Sequence, residues 1–140
     1  MLQEVKQELL EALRIHDEYF LQVNGEAEYD HGWKLSIQGR TLEDSAYLFD
    51  KLMGLLISTK ASYKFATQKL IDFGGEQSTK LLTIYIPNNV GPESFAELVR
   101  LNIEGYVGAL GINEKKSYKK YAEGIFFRND RNEMGEYIPA

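Results

Sequence analysis

Apolar residues recur at three- and four-residue spacing through Leu2, Val5, Leu9, Leu10, Leu13 and Tyr19. This spacing lines one face of a helix and predicts an amphipathic α-helix to about residue 22, ended by the turn Asn24-Gly25. After Gly32 the period changes to two. Over residues 33–38, Trp33, Leu35 and Ile37 face one way while Lys34, Ser36 and Gln38 face the other, which predicts a strand with one buried face. Thr41-Leu42-Glu43-Asp44 then reads as a helix start, with Thr41 as the cap and acids in the first turn. That helix buries Leu48, Phe49, Leu52, Leu55 and Leu56.

A short strand is predicted near 62–67, a Gly74-Gly75 loop within 72–79, and a strong strand over 81–86, closed by Pro87-Asn88-Asn89. Pro92 opens a third helix whose inner face is Phe95, Leu98, Val99, Ile103, Tyr106 and Val107, with Gly111 just past its end. The stretch from Lys115 to Lys120 is basic and solvated, and a last strand near 124–128 leads into a polar tail. The predicted order is α-β-α-β-β-α-β. The expected fold is α+β: one domain over residues 1–140, with helices packed on a mixed or antiparallel sheet.

Composition narrows the function classes. A chain of 140 residues is long enough to bury a core as one domain. Its formal net charge of −5 opposes binding to a nucleic-acid polymer or an anionic membrane, which would need a basic field. Cysteine is absent, so disulfides, thiolate nucleophiles and cysteine metal sites are excluded. His16 and His31 are the only histidines and lack metal-binding spacing, so neither a metal nor another cofactor is expected. No apolar run reaches membrane-spanning length. The expected location is the cytoplasm, or a host cell reached by signal-peptide-independent secretion.

Against this acidic background, lone cations sit on apolar strands. Lys34 lies in Trp33-Lys34-Leu35-Ser36-Ile37, Lys64 in Tyr63-Lys64-Phe65, Lys80 ahead of Leu81-Leu82-Thr83-Ile84-Tyr85-Ile86, and Arg128 after Phe126-Phe127. Taken singly, such lysines guard edge strands against aggregation. Converging, they would form an anion pocket suited to phosphate. Tyr85 and Tyr63 are placed to add hydroxyls. Gly74-Gly75 with Ser78-Thr79-Lys80 is not a Walker loop, because the order is wrong and the segment precedes a strand. The acids Glu43/Asp44 and Glu26/Glu28 read as cap and loop residues, not a hydrolytic pair.

Four pieces, Trp33-Lys34-Leu35-Ser36-Ile37, Tyr63-Lys64-Phe65, Leu82-Thr83-Ile84-Tyr85-Ile86 and Phe127-Arg128-Asn129-Asp130, also carry a family resemblance. From about residue 30 to 135 the chain resembles the phosphothreonine lyases of bacterial type III effectors (the OspF/SpvC group) and the related lyase domain of lanthipeptide synthetases. The resemblance implies metal-free β-elimination of phosphate from phosphothreonine or phosphoserine. It implies Lys64 as the base, Lys34 steadying the substrate, Tyr85 in the pocket and Arg128 gripping phosphate. Two departures stand out. The family writes Lys-x-His on its first strand, with histidine as the acid, where this chain has Ser36. The family also carries an arginine ahead of the Thr-x-Tyr strand, where this chain has Gly74-Gly75. Lys80 and Arg131 are the available substitutes, at unmatched positions.

A lysine base must be neutral when it reacts, which asks its pKa of about 10.4 to fall by roughly three units. Losing a general acid typically costs about 10²–10⁴-fold in rate. Three functions therefore stay open. The first is a lyase-like protein that recognises a phosphorylated ligand and eliminates its phosphate. The second is a non-catalytic module for a phosphopeptide, a phosphorylated small molecule or a nucleotide. The third is an acidic interaction or chaperone-like domain whose first helix meets a partner, and a homodimer is compatible with each.

Overall fold

The computed structural model describes residues 3–74, 79–106 and 119–129. The leading helix is shorter than its periodicity predicts. α1 (Gln3–Ile15) stops before Tyr19, and the next apolar residues form a strand, β1 (Phe20–Val23). β1 pairs antiparallel with β3 (Ser62–Ala66), setting Leu21 opposite Phe65 and Gln22 opposite Lys64. Ladder bonds and the packing of Leu21 on the core outweigh helix-propensity differences, which are only tenths of a kcal/mol per residue.

β2 (Trp33–Gln38) matches its alternation. α2 (Leu42–Thr59) begins at Thr41 as expected: the Thr41 side chain accepts from the Asp44 amide, and the Asp44 carboxylate reaches back to the Thr41 amide. After β3 comes a helix absent from the predicted order, α3 (Gln68–Phe73). Thr67 caps it, accepting from Leu70 N at 3.4 Å and donating to Glu18 O at 2.6 Å, so one hydroxyl joins α3 to the turn before β1.

β4 (Lys80–Tyr85) leads to α4 (Pro92–Asn102), which starts on Pro92 as predicted. Val107 and Gly111 lie outside the described residues. Lys119 and Lys120, read as solvated, are indeed exposed but already belong to β5 (Lys119–Ala122). β6 (Ile125–Asn129) is the last element. The order is thus α-β-β-α-β-α-β-α-β-β, which corrects the predicted sequence of elements by adding β1, α3 and β5.

The sheet runs β1-β3-β4-β2-β6-β5, and every pairing among the described strands is antiparallel. This is the α+β architecture expected. α1, α2 and α4 cover one face: Leu13, Leu48, Leu52, Phe95 and Val99 meet Leu35, Ile37, Phe65, Leu82, Ile84 and Phe127 there. A smaller cluster of Ala66, Leu70 and Leu81, flanked by Phe20, marks where α3 folds against the sheet.

Candidate anion site

Alternation along β2 places Lys34, Ser36 and Gln38 on the face opposite α1, α2 and α4. Register then decides what lies beside them. Lys34 stands opposite Tyr85 on β4 and, on its other side, opposite Arg128 on β6. Ser62 opposes Tyr85 from β3, which completes a row Ser62–Tyr85–Lys34–Arg128 across four strands. The adjacent row on this face is Lys64–Thr83–Ser36–Phe126.

Directly opposed residues lie about 5 Å apart at Cα, so Lys34 and Arg128 leave the backbone side by side. Lys64 is two strands across and two residues along from Lys34, roughly 12 Å at Cα. Lys34 is 8% exposed and Arg128 3% exposed. Two cationic residues are thus neighbours in register and largely out of water.

Aromatic rings border the patch. The Lys64 ammonium lies 4.2 Å from the centroid of Phe20 and 5.9 Å from that of Tyr85. Tyr85 also stacks on Tyr29, with centroids 4.8 Å apart and planes inclined by 28°. Phe20 and Tyr85 each attract the ammonium. Ser36 is buried, and its Oγ has no hydrogen-bond partner among the described residues.

The remaining residues singled out from the sequence fall elsewhere. Lys80 lies opposite Gln38 beyond a bulge between Ile37 and Gln38, four residues or about 14 Å along β2 from the Lys34 row. It stands apart from the Lys34–Arg128 row. Arg131 lies outside the described residues. Tyr63, considered for a pocket hydroxyl, turns to the helix-covered face, where it packs with Phe49 and Phe65 and burial raises its pKa. Phe20, Tyr29 and Thr83 join the site unannounced. Thr83 was legible from its alternation with Tyr85, whereas nothing in the sequence marks Tyr29.

Charge is arranged differently where α4 meets β5. Glu97 accepts from Arg100 Nε at 2.9 Å, from Arg100 Nη2 and from the Tyr121 hydroxyl, clasping α4 to β5. These bonds, Arg100 first and Tyr121 second, hold the Glu97 pKa down to about 2. Tyr106 donates to Gln38 O at 2.7 Å, and burial, reinforced by Asp44, pushes its pKa well above the ordinary tyrosine range. Among the described residues no three His, Asp or Glu side chains gather as a metal site, and no helix is long and apolar enough to cross a membrane.

No protein-family model matches the sequence, and comparison with curated proteins finds no match. The fold does have counterparts among solved structures. It superposes on the phosphothreonine lyase SpvC, an effector protein from Salmonella, with a TM-score of 0.57 and 15% identity over 81% of this chain and 64% of that one. It likewise matches the type III effector and phosphothreonine lyase OspF from Shigella flexneri, with a TM-score of 0.54 and 16% identity over 81% of this chain and 66% of that one. The chain therefore has a phosphothreonine-lyase-like fold and spans just under two thirds of each of these proteins.

Proposed function

We propose that the protein recognises a phosphorylated ligand, a phosphopeptide or a phosphorylated small molecule, over the Lys34–Arg128 patch of its sheet. The observation that carries this reading is the register pair itself: two buried cations on neighbouring strands, flanked by Tyr85 and, one row away, by Lys64 and Ser36. Arg128 offers a planar fork for two phosphate oxygens, Lys34 a point charge, and Ser36 a hydroxyl donor. Lys80 and Arg131 are not needed. The test is thermal unfolding with phosphothreonine and phosphoserine peptides against their unphosphorylated counterparts. A phosphate-dependent rise in melting temperature that Arg128→Ala removes supports the site, and no rise with any phosphorylated ligand refutes it.

A second reading is β-elimination at the same place, favoured by the fold likeness and by Lys64 sharing a face with Lys34 and Tyr85. Neutral Lys64 would take the Cα proton as the Cβ–O bond breaks. Phosphate would leave with the bonding electrons, and the residue would become a dehydroamino acid. Mass spectrometry of the same peptides decides it, because elimination removes phosphoric acid irreversibly. The Phe20 and Tyr85 rings attract the Lys64 ammonium, and this attraction supports the binding reading. The interaction-domain reading draws on cations that point apart, and here Lys34, Lys64 and Arg128 lie on one face.

A further inference from the structure

The geometry points to Tyr29 as a positioning residue of the phosphate site, acting through Tyr85 on Lys64. The inference rests on the phosphate-recognition reading and adds to it a group outside the sheet. Phe20, Lys64, Tyr85 and Tyr29 form one continuous ladder of ring, ammonium, ring and ring. Phe20 and Lys64 come from paired strands, and Tyr85 from the next strand. Tyr29 alone comes from a loop, and its ring stacks on that of Tyr85.

That loop is fixed in place. Gly25 N donates to Ser62 Oγ at 2.9 Å and Ala27 N to Lys60 O at 3.0 Å, tying its first half to the end of α2 and the start of β3. Asn88 fastens the second half: its amide N donates to Glu28 O at 2.8 Å, its side-chain NH₂ to Asp30, and its Oδ1 accepts from His31 N at 3.4 Å. His31 accepts from Trp33 N on Nδ1 at 3.0 Å, which leaves Nε2 to donate to Pro87 O at 3.4 Å. Gly32, with φ of 85°, donates back to Tyr29 O at 3.2 Å and closes the turn.

The residues that follow Tyr85 on β4, Pro87 and Asn88, are thus the anchor of the loop that carries Tyr29. Both stacked rings are held by one corner of the molecule. Tyr29 is 36% exposed, so it buries too little to be a core residue, yet its backbone is tied at several points. A loop clasped this firmly around one half-exposed ring serves the ring's contact, which is with Tyr85. Fixing Tyr85 sets one of the two aromatic rings that border the Lys64 ammonium.

Tyr29→Ala, Tyr29→Phe and wild type are compared for affinity toward a phosphothreonine peptide and for the ring-current shift of the Lys64 ε-methylene protons in ligand-free protein. Removing the ring is expected to weaken binding about three- to tenfold, the range of one stacked aromatic pair. It should also move the Lys64 resonances, with a melting temperature close to wild type. Tyr29→Phe keeps the stack and should restore both. Unchanged affinity and unchanged Lys64 shifts in Tyr29→Ala would overturn the inference while leaving the phosphate site standing. If wild type binds no phosphorylated ligand, the functional reading fails. The Lys64 shifts then decide the positioning role alone, and unmoved resonances overturn it.

Discussion

Ser36→Ala should make the ligand-free protein more stable and the ligand-bound protein weaker. The side chain is 1% exposed, and its hydroxyl has no hydrogen-bond partner among the described residues. Leaving a buried hydroxyl unpaired costs about 1–3 kcal/mol, and alanine removes that group at nearly constant volume. For 140 residues, an unfolding entropy of about 2.1 cal/mol/K per residue gives roughly 0.3 kcal/mol/K. A net gain of about 1 kcal/mol therefore raises the melting temperature by about 3 °C. If Ser36 donates to a phosphate oxygen, the same change removes a hydrogen bond to a charged group, about 1.5–3 kcal/mol, so affinity falls at least tenfold. Ser45 supplies the control. It is equally buried and equally unpaired, but lies on α2 in the helical layer, so Ser45→Ala should stabilise without touching affinity. Calorimetric unfolding and titration with a phosphothreonine peptide measure both quantities. A Ser36→Ala protein that melts lower than wild type, or binds as tightly, refutes the reasoning.

Arg128→Ala is expected to abolish the stabilisation by phosphorylated ligand, which at a hundredfold excess over Kd amounts to about 2.7 kcal/mol, or about 9 °C here; a retained shift on melting would place the anion elsewhere. Glu97→Gln should lower the melting temperature at pH 7 by breaking the bonds to Arg100 and Tyr121. The Glu97 pKa falls from 4.5 to about 2 on folding, so its contribution is present above pH 4.5 and lost as pH drops toward 2. Melting curves of wild type and variant should converge over that interval, and a constant gap would contradict the assignment. Gly25→Ala would put a methyl carbon 2.1 Å from Lys60 O, a backbone atom that cannot swing aside. Overpacking of this kind costs about 1–3 kcal/mol, read by chemical denaturation.

How much of this was legible in the sequence depended on whether the determinant was local. The two faces of β2, the Thr41 cap and the Pro92 start follow from a few adjacent residues, and each appears where the pattern put it. The cation patch was half legible. Alternation gave the face of Lys34, but its adjacency to Arg128 is a register property that no single strand contains. Lys80 shows the limit: a bulge between Ile37 and Gln38 sets it opposite Gln38, and a bulge leaves no sign in the spacing of Leu81 to Ile86. β1 was hidden because Tyr19 extends the helical spacing, while its pairing with β3 depends on a segment about forty residues away. Tyr29 was hidden for a related reason, since its partner Tyr85 is brought by the return of the chain through Asn88.

Whether the proposed site could eliminate phosphate turns on the charge of Lys64. An ammonium at 4.2 Å from Phe20 gains about 0.5–2 kcal/mol from that ring, and the base must forgo this gain to become neutral. The bulk of that attraction is lost in Phe20→Leu. The two functions respond in opposite directions. A site that eliminates phosphate through neutral Lys64 gains rate at neutral pH in Phe20→Leu. A site that holds phosphate through charged Lys64 gains nothing and loses some affinity. The Phe20–Lys64 contact, the absence of an imidazole at Ser36 and the pairing of Lys34 with Arg128 all favour the second response. The expected outcome is therefore weaker binding of phosphothreonine peptide by Phe20→Leu, with the peptide recovered at its full phosphorylated mass from both proteins. Loss of phosphoric acid that is faster in the variant than in wild type would reverse the assignment and make the ring a restraint on a working base.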